Sequence, residues 1–385
     1  MRNTLSSQFV IGFLGAGQLA RMSAIQAFRY GIQVAVFSDR TEDEPVQFMT
    51  PHSYSGSFDE VNSMIEFAEK CDVITLENEF IDSRILAELE KRSKTPIWPS
   101  PQSFARIENK RIEKMTFEEA GIPVTPYALI RSKKDIVDFG STYGWPFLLK
   151  SSKGGYDGYG NKTVRDINGA MSAFNQLGGD IGHEILAEAF VEFTHELAVQ
   201  VARNETGHQI YPCCETVQKD HICVAVKSPA PVSAEIQERA QEMALRATEA
   251  IDGKGIFAFE FFLKTDGELL LNESAPRPHN SGHYTIEGCV TSQFENHVRS
   301  VCGLPLGDVS LIKPSAAMIN LLGAETRPAI IEHAENAIAQ AHGHLHSYGK
   351  IQSKPGRKMA HYTLLGDDLN ETYEKALQLT ERIRI

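Results

Sequence analysis

At 385 residues the chain exceeds one ordinary core, and its length predicts two or three domains of ~100–200 residues, which an apolar content of 42% is enough to fill. Its 38 basic and 50 acidic residues leave a formal net charge of −12, which argues against general affinity for nucleic acid or an anionic membrane. A phosphate-bearing substrate therefore needs a local basic site. Met1 to Gln8 is polar, and the apolar run Phe9 to Leu14 is too short for a secretory signal or a membrane span, so a cytoplasmic protein is expected. Cys71, Cys213, Cys214, Cys223, Cys289 and Cys302 show no C-x-x-C spacing and are expected as small buried apolar residues rather than zinc ligands.

Phe9 to Leu14 reads as a buried strand. Gly15-Ala-Gly-Gln-Leu-Ala20 follows at the head of an apolar-periodic helix ending near Gly31, and Ile32 to Ser38 is a second strand closing in Asp39. This order matches the dinucleotide fingerprint G-x-G-x-x-A with an acid ~20 residues on, a dehydrogenase signal. The same glycines also serve any βαβ unit that turns tightly and packs helix on strand. Asp72 to Glu77 is a further strand ending in carboxylates, and the prolines of Pro96-Ile-Trp-Pro-Ser-Pro101 mark a boundary, so an α/β domain is expected to about residue 103.

A helix is expected from Ser103, as N-cap, to Ala120, with Gly121 and Pro123 ending it. Lys110 and Lys114 share a face of it, which for paired lysines ordinarily means a solvated basic stripe. Phe147 to Lys150 is a short strand, and Lys153-Gly-Gly-Tyr-Asp-Gly-Tyr-Gly160 comes directly after it. Four glycines in seven residues (154, 155, 158, 160) let backbone wrap an anion, so a mobile lid over a nucleotide is expected, with a flexible hairpin tip as the alternative. The P-loop spacing is absent. Glu184 to Glu192 alternates as a strand does, Glu196 opens another, and their acids either hold a ribose or face water. Glu235 to Ile251 is a helix.

In Ile256 to Glu273, Asp266-Gly267 lies between two apolar runs, the strongest local sign of a hairpin. A two-residue turn there pairs Thr265 with Glu268 and, counting outward, sets Glu260 across from Glu273. Like charges so placed destabilise a ladder unless a divalent cation lies between them. The alternative is a four-residue loop that shifts the register and leaves both carboxylates solvated. Ser274-Ala-Pro-Arg-Pro-His-Asn-Ser-Gly-His283 follows as a loop, in which exposed Arg277 and His279 have little structural reason to exist. Ala316 to Leu322 is a strand. His342, His344 and His346 would share one strand face, where a metal site is conceivable but lacks a completing ligand. Lys354 to Lys358 is a basic turn.

Taken together, Lys110, Lys150, the glycine loop, Glu188 and the Glu260/Glu273 hairpin resemble the ATP-grasp ligases. The tighter resemblance is to the 5-(carboxyamino)imidazole ribonucleotide synthases, carried by Leu14-Gly-Ala-Gly-Gln-Leu-Ala-Arg-Met22, Gly154-Gly-Tyr-Asp-Gly158, Asn272-Glu273, Ala275 to His283 and Pro355-Gly-Arg-Lys358, in that family's order over nearly the whole chain. The resemblance implies a mixed α/β and α+β architecture: an N-terminal Rossmann-like pre-ATP-grasp domain over 1–103, an ATP-grasp domain over 104–303 and a small C-terminal β domain over 304–385. It implies ATP-dependent carboxylation of aminoimidazole ribonucleotide by bicarbonate, through carboxyphosphate, in purine synthesis.

By position, the resemblance makes Lys110 and Lys150 phosphate contacts and Gly155, Tyr156, Asp157, Gly158, Tyr159, Gly160 and Asn161 the loop over the nucleotide. Glu188, Ala189, Phe190, Val191 and Glu196 fall around adenine and ribose, with Gln218, Asn272 and Glu273 completing the nucleotide site. Glu260 and Glu273 become ligands of Mg²⁺, or of Mn²⁺ in its place. Tyr156, Asp157, Arg277, Arg357 and Lys358 fall at the ribonucleotide, and Arg277, His279 and Lys358 at the carboxylation step, His279 exchanging a proton near neutral pH. A homodimer and a functional link to a purine mutase are also implied. Two residues depart from the pattern. Tyr159 stands where the family commonly has Arg or Lys, and Gln218 where it commonly has His, so either Lys153 compensates or the contacts differ in detail. A nicotinamide-dependent dehydrogenase, a related ATP-grasp formyltransferase or biotin-type carboxylase, and a non-catalytic nucleotide-binding module are the other readings.

Overall fold

The computed structural model describes residues 3–39, 44–154 and 160–385. The N-terminal sheet is parallel and five-stranded. Val10–Leu14 lies at its centre between Gln33–Ser38 and Val73–Leu76, with His52–Ser55 and Ile97–Trp98 outside them. Every residue of the central strand is buried because both faces are covered. On one face Ile11, Phe13, Val34 and Val36 pack on the alanines of helix Gln18–Arg29. On the other, Leu14, Phe37 and Ile74 pack on Met64, Phe67 and Leu86, and this cluster runs on into Phe117, Phe257 and Phe259. The N-terminal layer is thus seated directly on the body that carries the carboxylate hairpin.

The helix expected from Ser103 to Ala120 is two helices. Ser100 caps Pro101–Ala105, the backbone then leaves the helix, and Asn109 accepts from the N–H groups of Arg111 and Ile112 at 3.0 and 3.2 Å to start Lys110–Glu119. An Asn side chain competes with helical backbone for those donors, which is why the break falls there. Its effect is to put Lys110 at the first turn of a helix instead of the middle of one.

Tyr127–Ile130, Ile185–Ala189, Phe147–Ser151 and Asn161–Val164 form a four-stranded antiparallel sheet in that order. Residues 185–188 are all buried, in place of the alternation expected over 184–192, and Phe190 and Val191 lie beyond the strand end.

The large sheet runs Leu269–Ala275, Gly255–Leu263, His195–Asn204, Cys214–Lys219, Ile222–Ser228, Ser315–Leu322, Lys358–Gly366, Gly343–Ser347, with Gly207–Ile210 beside His195–Asn204. Strands beyond residue 304 therefore continue the sheet that holds the hairpin, joined by the pairing of Ala225–Ser228 with Ala316–Ile319. His342 precedes its strand with φ 61°, so it does not share a face with His344 and His346. Among the described residues no group of three or more His, Cys, Asp or Glu is placed to hold a metal ion.

The hairpin reaches its pairing by a different route from the one expected. Lys264 N donates to Glu268 O at 2.9 Å and Gly267 N to Lys264 O at 3.0 Å, which makes Thr265-Asp266-Gly267 a three-residue loop with Gly267 at φ +84°. The first pairs are Leu263 with Leu269 and Phe261 with Leu271, one step away from the two-residue register. A β-bulge after Phe261 then absorbs one residue and restores Glu260 opposite Glu273.

From the end of the hairpin the chain crosses the face of the large sheet. Gln200 donates to Ser281 Oγ at 2.9 Å, and Asn280 and Asn320 exchange two amide hydrogen bonds at 3.0 and 2.6 Å. These contacts carry residues 276–283 from the edge strand toward the C-terminal strands, with a short 3₁₀ turn at Asn280–Gly282.

Candidate active site

Helix Lys110–Glu119 faces the edge strand Leu269–Ala275, and the charges on its first turns converge there. Lys110 Nζ lies 3.3 Å from Glu273 Oε2, and that ammonium, with Lys150, holds the Glu273 carboxyl down to about 2 against the upward pull of burial. Glu113 accepts from Ser274 N at 2.7 Å and Ser274 Oγ at 2.6 Å, and burial pushes its carboxyl up to about 7. The expected solvated stripe is absent: Lys114 is 1% exposed, bonds Asn272 O at 3.3 Å and has its ammonium pulled down by burial, against the pull of Glu188. Glu260 and Glu273 stand opposite one another, and the Oδ1 of Asn272 is buried without a hydrogen-bond partner. Two carboxylates and an orphaned amide oxygen are hard donors that leave room for water and phosphate oxygens, a set that fits Mg²⁺.

On the four-stranded sheet, Lys150 Nζ bonds Glu188 Oε2 at 2.7 Å, and Lys114 Nζ lies 3.6 Å from Glu188 Oε1. Burial alone would raise Glu188, but the two lysines bring it below the usual carboxylate range. Its side chain thus points at lysines, while Ala189, Phe190 and Val191 lead away from it as a half-exposed rim. Glu196 Oε1 accepts from Thr216 Oγ1 at 2.5 Å and from Gln218 Nε2 at 2.6 Å, so Gln218, one of the two departures from the family pattern, serves as a neutral donor. Gly160 accepts from Ser151 N at 2.9 Å, and Asn161 pairs with Lys150 and keeps a buried Oδ1 without a partner. Lys153 is held by Glu108 at 2.9 Å and Asp82 at 3.5 Å, which ties it to the segment before the lysine helix. Gly155, Tyr156, Asp157, Gly158 and Tyr159, and with them the expected lid, lie outside the described residues.

A pocket of about 120 Å³ at Lys110, Glu260 and Glu273 adjoins one of about 820 Å³ lined by Lys350, Lys354, Arg357 and Lys358. The larger pocket is the local basic site that the overall negative charge calls for. Burial, then Arg357, bring the Lys350 ammonium down to about 8, and Lys350 Nζ donates to Lys358 O at 2.7 Å. Arg277 and His279 are recessed rather than exposed, with side-chain exposures of 17% and 21%. Arg277 pairs with Glu79 at 2.9 Å. Burial, with Arg277 and Lys358 nearby, lowers His279 to about 3, so it is neutral at physiological pH and does not exchange a proton there as expected. Its Nδ1 meets Ser281 Oγ at 2.8 Å, and that hydroxyl already accepts from Gln200. Nδ1 also accepts from the backbone N–H of Ser281 at 3.4 Å, so the proton of the neutral ring is on Nε2, which is left to donate.

The glycine turn of the N-terminal sheet is filled from within. Leu19 N donates to Glu77 Oε1 at 3.3 Å, and a Cβ at either Gly15 or Gly17 would sit 2.5 Å from a Glu77 carboxylate oxygen. The helix end that would receive a dinucleotide pyrophosphate is occupied by the chain's own carboxylate, which burial raises to about 7. The dehydrogenase reading fails on this contact.

Residues 9–108 match the ribonucleotide synthetase preATP-grasp domain, 115–294 the ATP-grasp domain and 316–375 the phosphoribosylaminoimidazole carboxylase C-terminal domain. The N5-carboxyaminoimidazole ribonucleotide synthase of Bacillus subtilis is 36% identical over 358 residues, covering 92% of this chain and 91% of that protein. The chain belongs to the N5-carboxyaminoimidazole ribonucleotide synthase family. Structures of that family superpose closely: the Aspergillus clavatus carboxyaminoimidazole ribonucleotide synthase complexed with ATP has a TM-score of 0.88 at 36% identity, covering 98% of this chain and all of that one. The Aspergillus clavatus N5-carboxyaminoimidazole synthase in complex with ADP and 5-aminoimidazole ribonucleotide gives 0.86 at 34%, covering 98% and 99%. The chain also matches longer phosphoribosylaminoimidazole carboxylases, such as that of Ogataea methanolica at 37% identity, of which it covers 94% of its own length and spans 67% of the relative's.

Within this family frame, four residues of the site carried no expectation of their own. Glu113 is three residues from Lys110 and one from Lys114, and that spacing of mixed charges on one helix face was the available signal. Glu77 closes a strand already read as acidic, but only the fold shows that it turns into the glycine loop. Glu79 and Lys350 gave no local signal, since each enters the pocket through a long-range packing of separate segments.

Proposed function

We infer that this chain is an ATP-grasp ligase that joins bicarbonate to the amine of 5-aminoimidazole ribonucleotide, converting ATP to ADP and phosphate. The observation that carries this is the shared wall: Phe80, Arg277 and His279 line both pockets, so the carboxylate and lysine chamber opens directly into the basic one. A bicarbonate oxygen attacks the γ-phosphorus of ATP and ADP leaves. The amine then attacks the carboxyl carbon of the resulting carboxyphosphate, inorganic phosphate leaves, and the amine loses a proton. Lys110 and Lys150 hold phosphate oxygens, with Glu196 and Gln218 toward the ribose. Glu260 and Glu273, with Asn272, would hold Mg²⁺ or Mn²⁺, which supplies neutralisation of charge on the transferring phosphoryl group. Arg277 at the junction stabilises the anionic carboxyl through paired hydrogen bonds, and His279 donates from Nε2. Lys350, Arg357 and Lys358 take the phosphate of the ribonucleotide.

The same reading carries a division of the chain at 103 and 303, a homodimer, a cytoplasmic location and transfer of the product to a purine mutase, all supported by resemblance. No helix among the described residues is long and apolar enough to cross a membrane. The test is ADP release with aminoimidazole ribonucleotide and bicarbonate added singly and together. Release that requires both supports the reading, and release indifferent to the ribonucleotide would overturn it.

A further inference from the structure

The strand Leu269–Ala275 is the edge of its sheet, and among the described residues its outer N–H and C=O groups meet no further strand, only a single bridge from Val124 to Leu271. Pro123 O accepts from Leu271 N at 2.8 Å, and beyond that point side chains of the lysine helix take over. Glu113 holds both donors of Ser274, and Lys114 holds the carbonyl of Asn272. These two contacts flank Glu273 on either side, at the bulge that sets it opposite Glu260. Lys114 also reaches Glu188, whose other oxygen bonds Lys150 across in the four-stranded sheet. Glu113 and Lys114 are 3% and 1% exposed, and although Glu113 lines the smaller pocket, its carboxylate is taken up by Ser274 and the Lys114 ammonium by Asn272 O and Glu188.

We propose that Glu113 and Lys114 are positioning residues for phosphoryl transfer. Glu113 replaces the missing strand at Ser274 and so keeps Glu273 in its bulged register opposite Glu260. Lys114 ties that strand to Glu188 and through it to Lys150, fixing the span between the carboxylates of one sheet and the phosphate-binding lysine of the other. The proposal rests on the ATP-dependent reading above.

The test is ADP affinity by titration calorimetry with and without Mg²⁺, alongside the Mg²⁺ dependence of ADP release. Glu113→Ala is expected to leave Mg²⁺-free ADP affinity close to that of the wild type and to raise the Mg²⁺ needed for half-maximal effect on the order of 10-fold or more. Glu113→Gln keeps an acceptor for Ser274 and should recover most of that loss. Lys114→Met should weaken ADP even without Mg²⁺, through Lys150. If Lys114→Met fails to fold, the Glu113 pair decides alone. A lowered melting temperature for Glu113→Ala with wild-type Mg²⁺ dependence would reduce these residues to fold stability and overturn the proposal, as would an equal loss of ADP affinity with and without Mg²⁺. A wild-type protein whose ADP binding ignores Mg²⁺ would instead overturn the ATP-dependent reading beneath it.

Discussion

On the wall of the basic pocket, burial and Arg357 bring the Lys350 ammonium down to about 8. As pH rises through that value the cation is lost, so KM for the ribonucleotide should rise while kcat changes little. Lys350→Arg, which stays charged, should hold KM flat between pH ~7 and ~10; a wild-type alkaline rise that persists in this variant would assign it to another group. Glu77 is shifted the other way, upward. Its folded value near 7 lies above its unfolded one, so its contribution to stability is present at acid pH and lost as pH rises toward and through 7. Glu77→Gln should flatten that decline and stabilise the protein at pH 8 by on the order of 1–3 kcal/mol, read from denaturant melts at both pH values. Neither behaviour was legible in the residues themselves: Lys350 and Glu77 have ordinary neighbours in sequence, and their shifts come from burial that only the assembled fold supplies.

The pair of strands around Asp266-Gly267 shows what can be read locally and what cannot. The turn residues and the two apolar runs fix a hairpin and its ends, and the facing of Glu260 and Glu273 follows from them only because a bulge compensates for a loop one residue longer than the simplest. Glu273→Gln should lower ADP release on the order of 100-fold or more, with far-UV circular dichroism unchanged. The helix break at Asn109 is a second local device with a distant effect. Asn109→Ala removes the acceptor for two backbone donors and should cost about 1 kcal/mol of stability. Because that cap also aims Lys110 at Glu273, ADP affinity should fall as well; a variant less stable but with wild-type affinity would separate the cap from the site. The cap was missed because Ser103 offers an equally good start signal six residues earlier, where its hydroxyl instead bonds Ile251 O at 2.7 Å.

At the scale of the molecule, proline punctuation and the resemblance pointed to three segments, but no periodicity reveals that strands beyond residue 304 pair with Ile222–Ser228 in one continuous sheet. A chain ending at 303 should therefore expose Ala225–Ser228 as a new edge, and hydrogen exchange there should accelerate relative to the full chain. Protection equal to that of the full chain would mean the two parts fold independently. The shared sheet also means that the chamber holding Glu260 and Glu273 and the chamber holding Arg357 and Lys358 are set on one frame, with residues 276–283 fastened between them through Asn280 and Asn320. A two-headed inhibitor that joins an adenine nucleotide to a ribose phosphate then meets a fixed gap rather than a hinge. With a spacer of matching length its second head binds as if at high local concentration, and a spacer only slightly too short forfeits the whole gain.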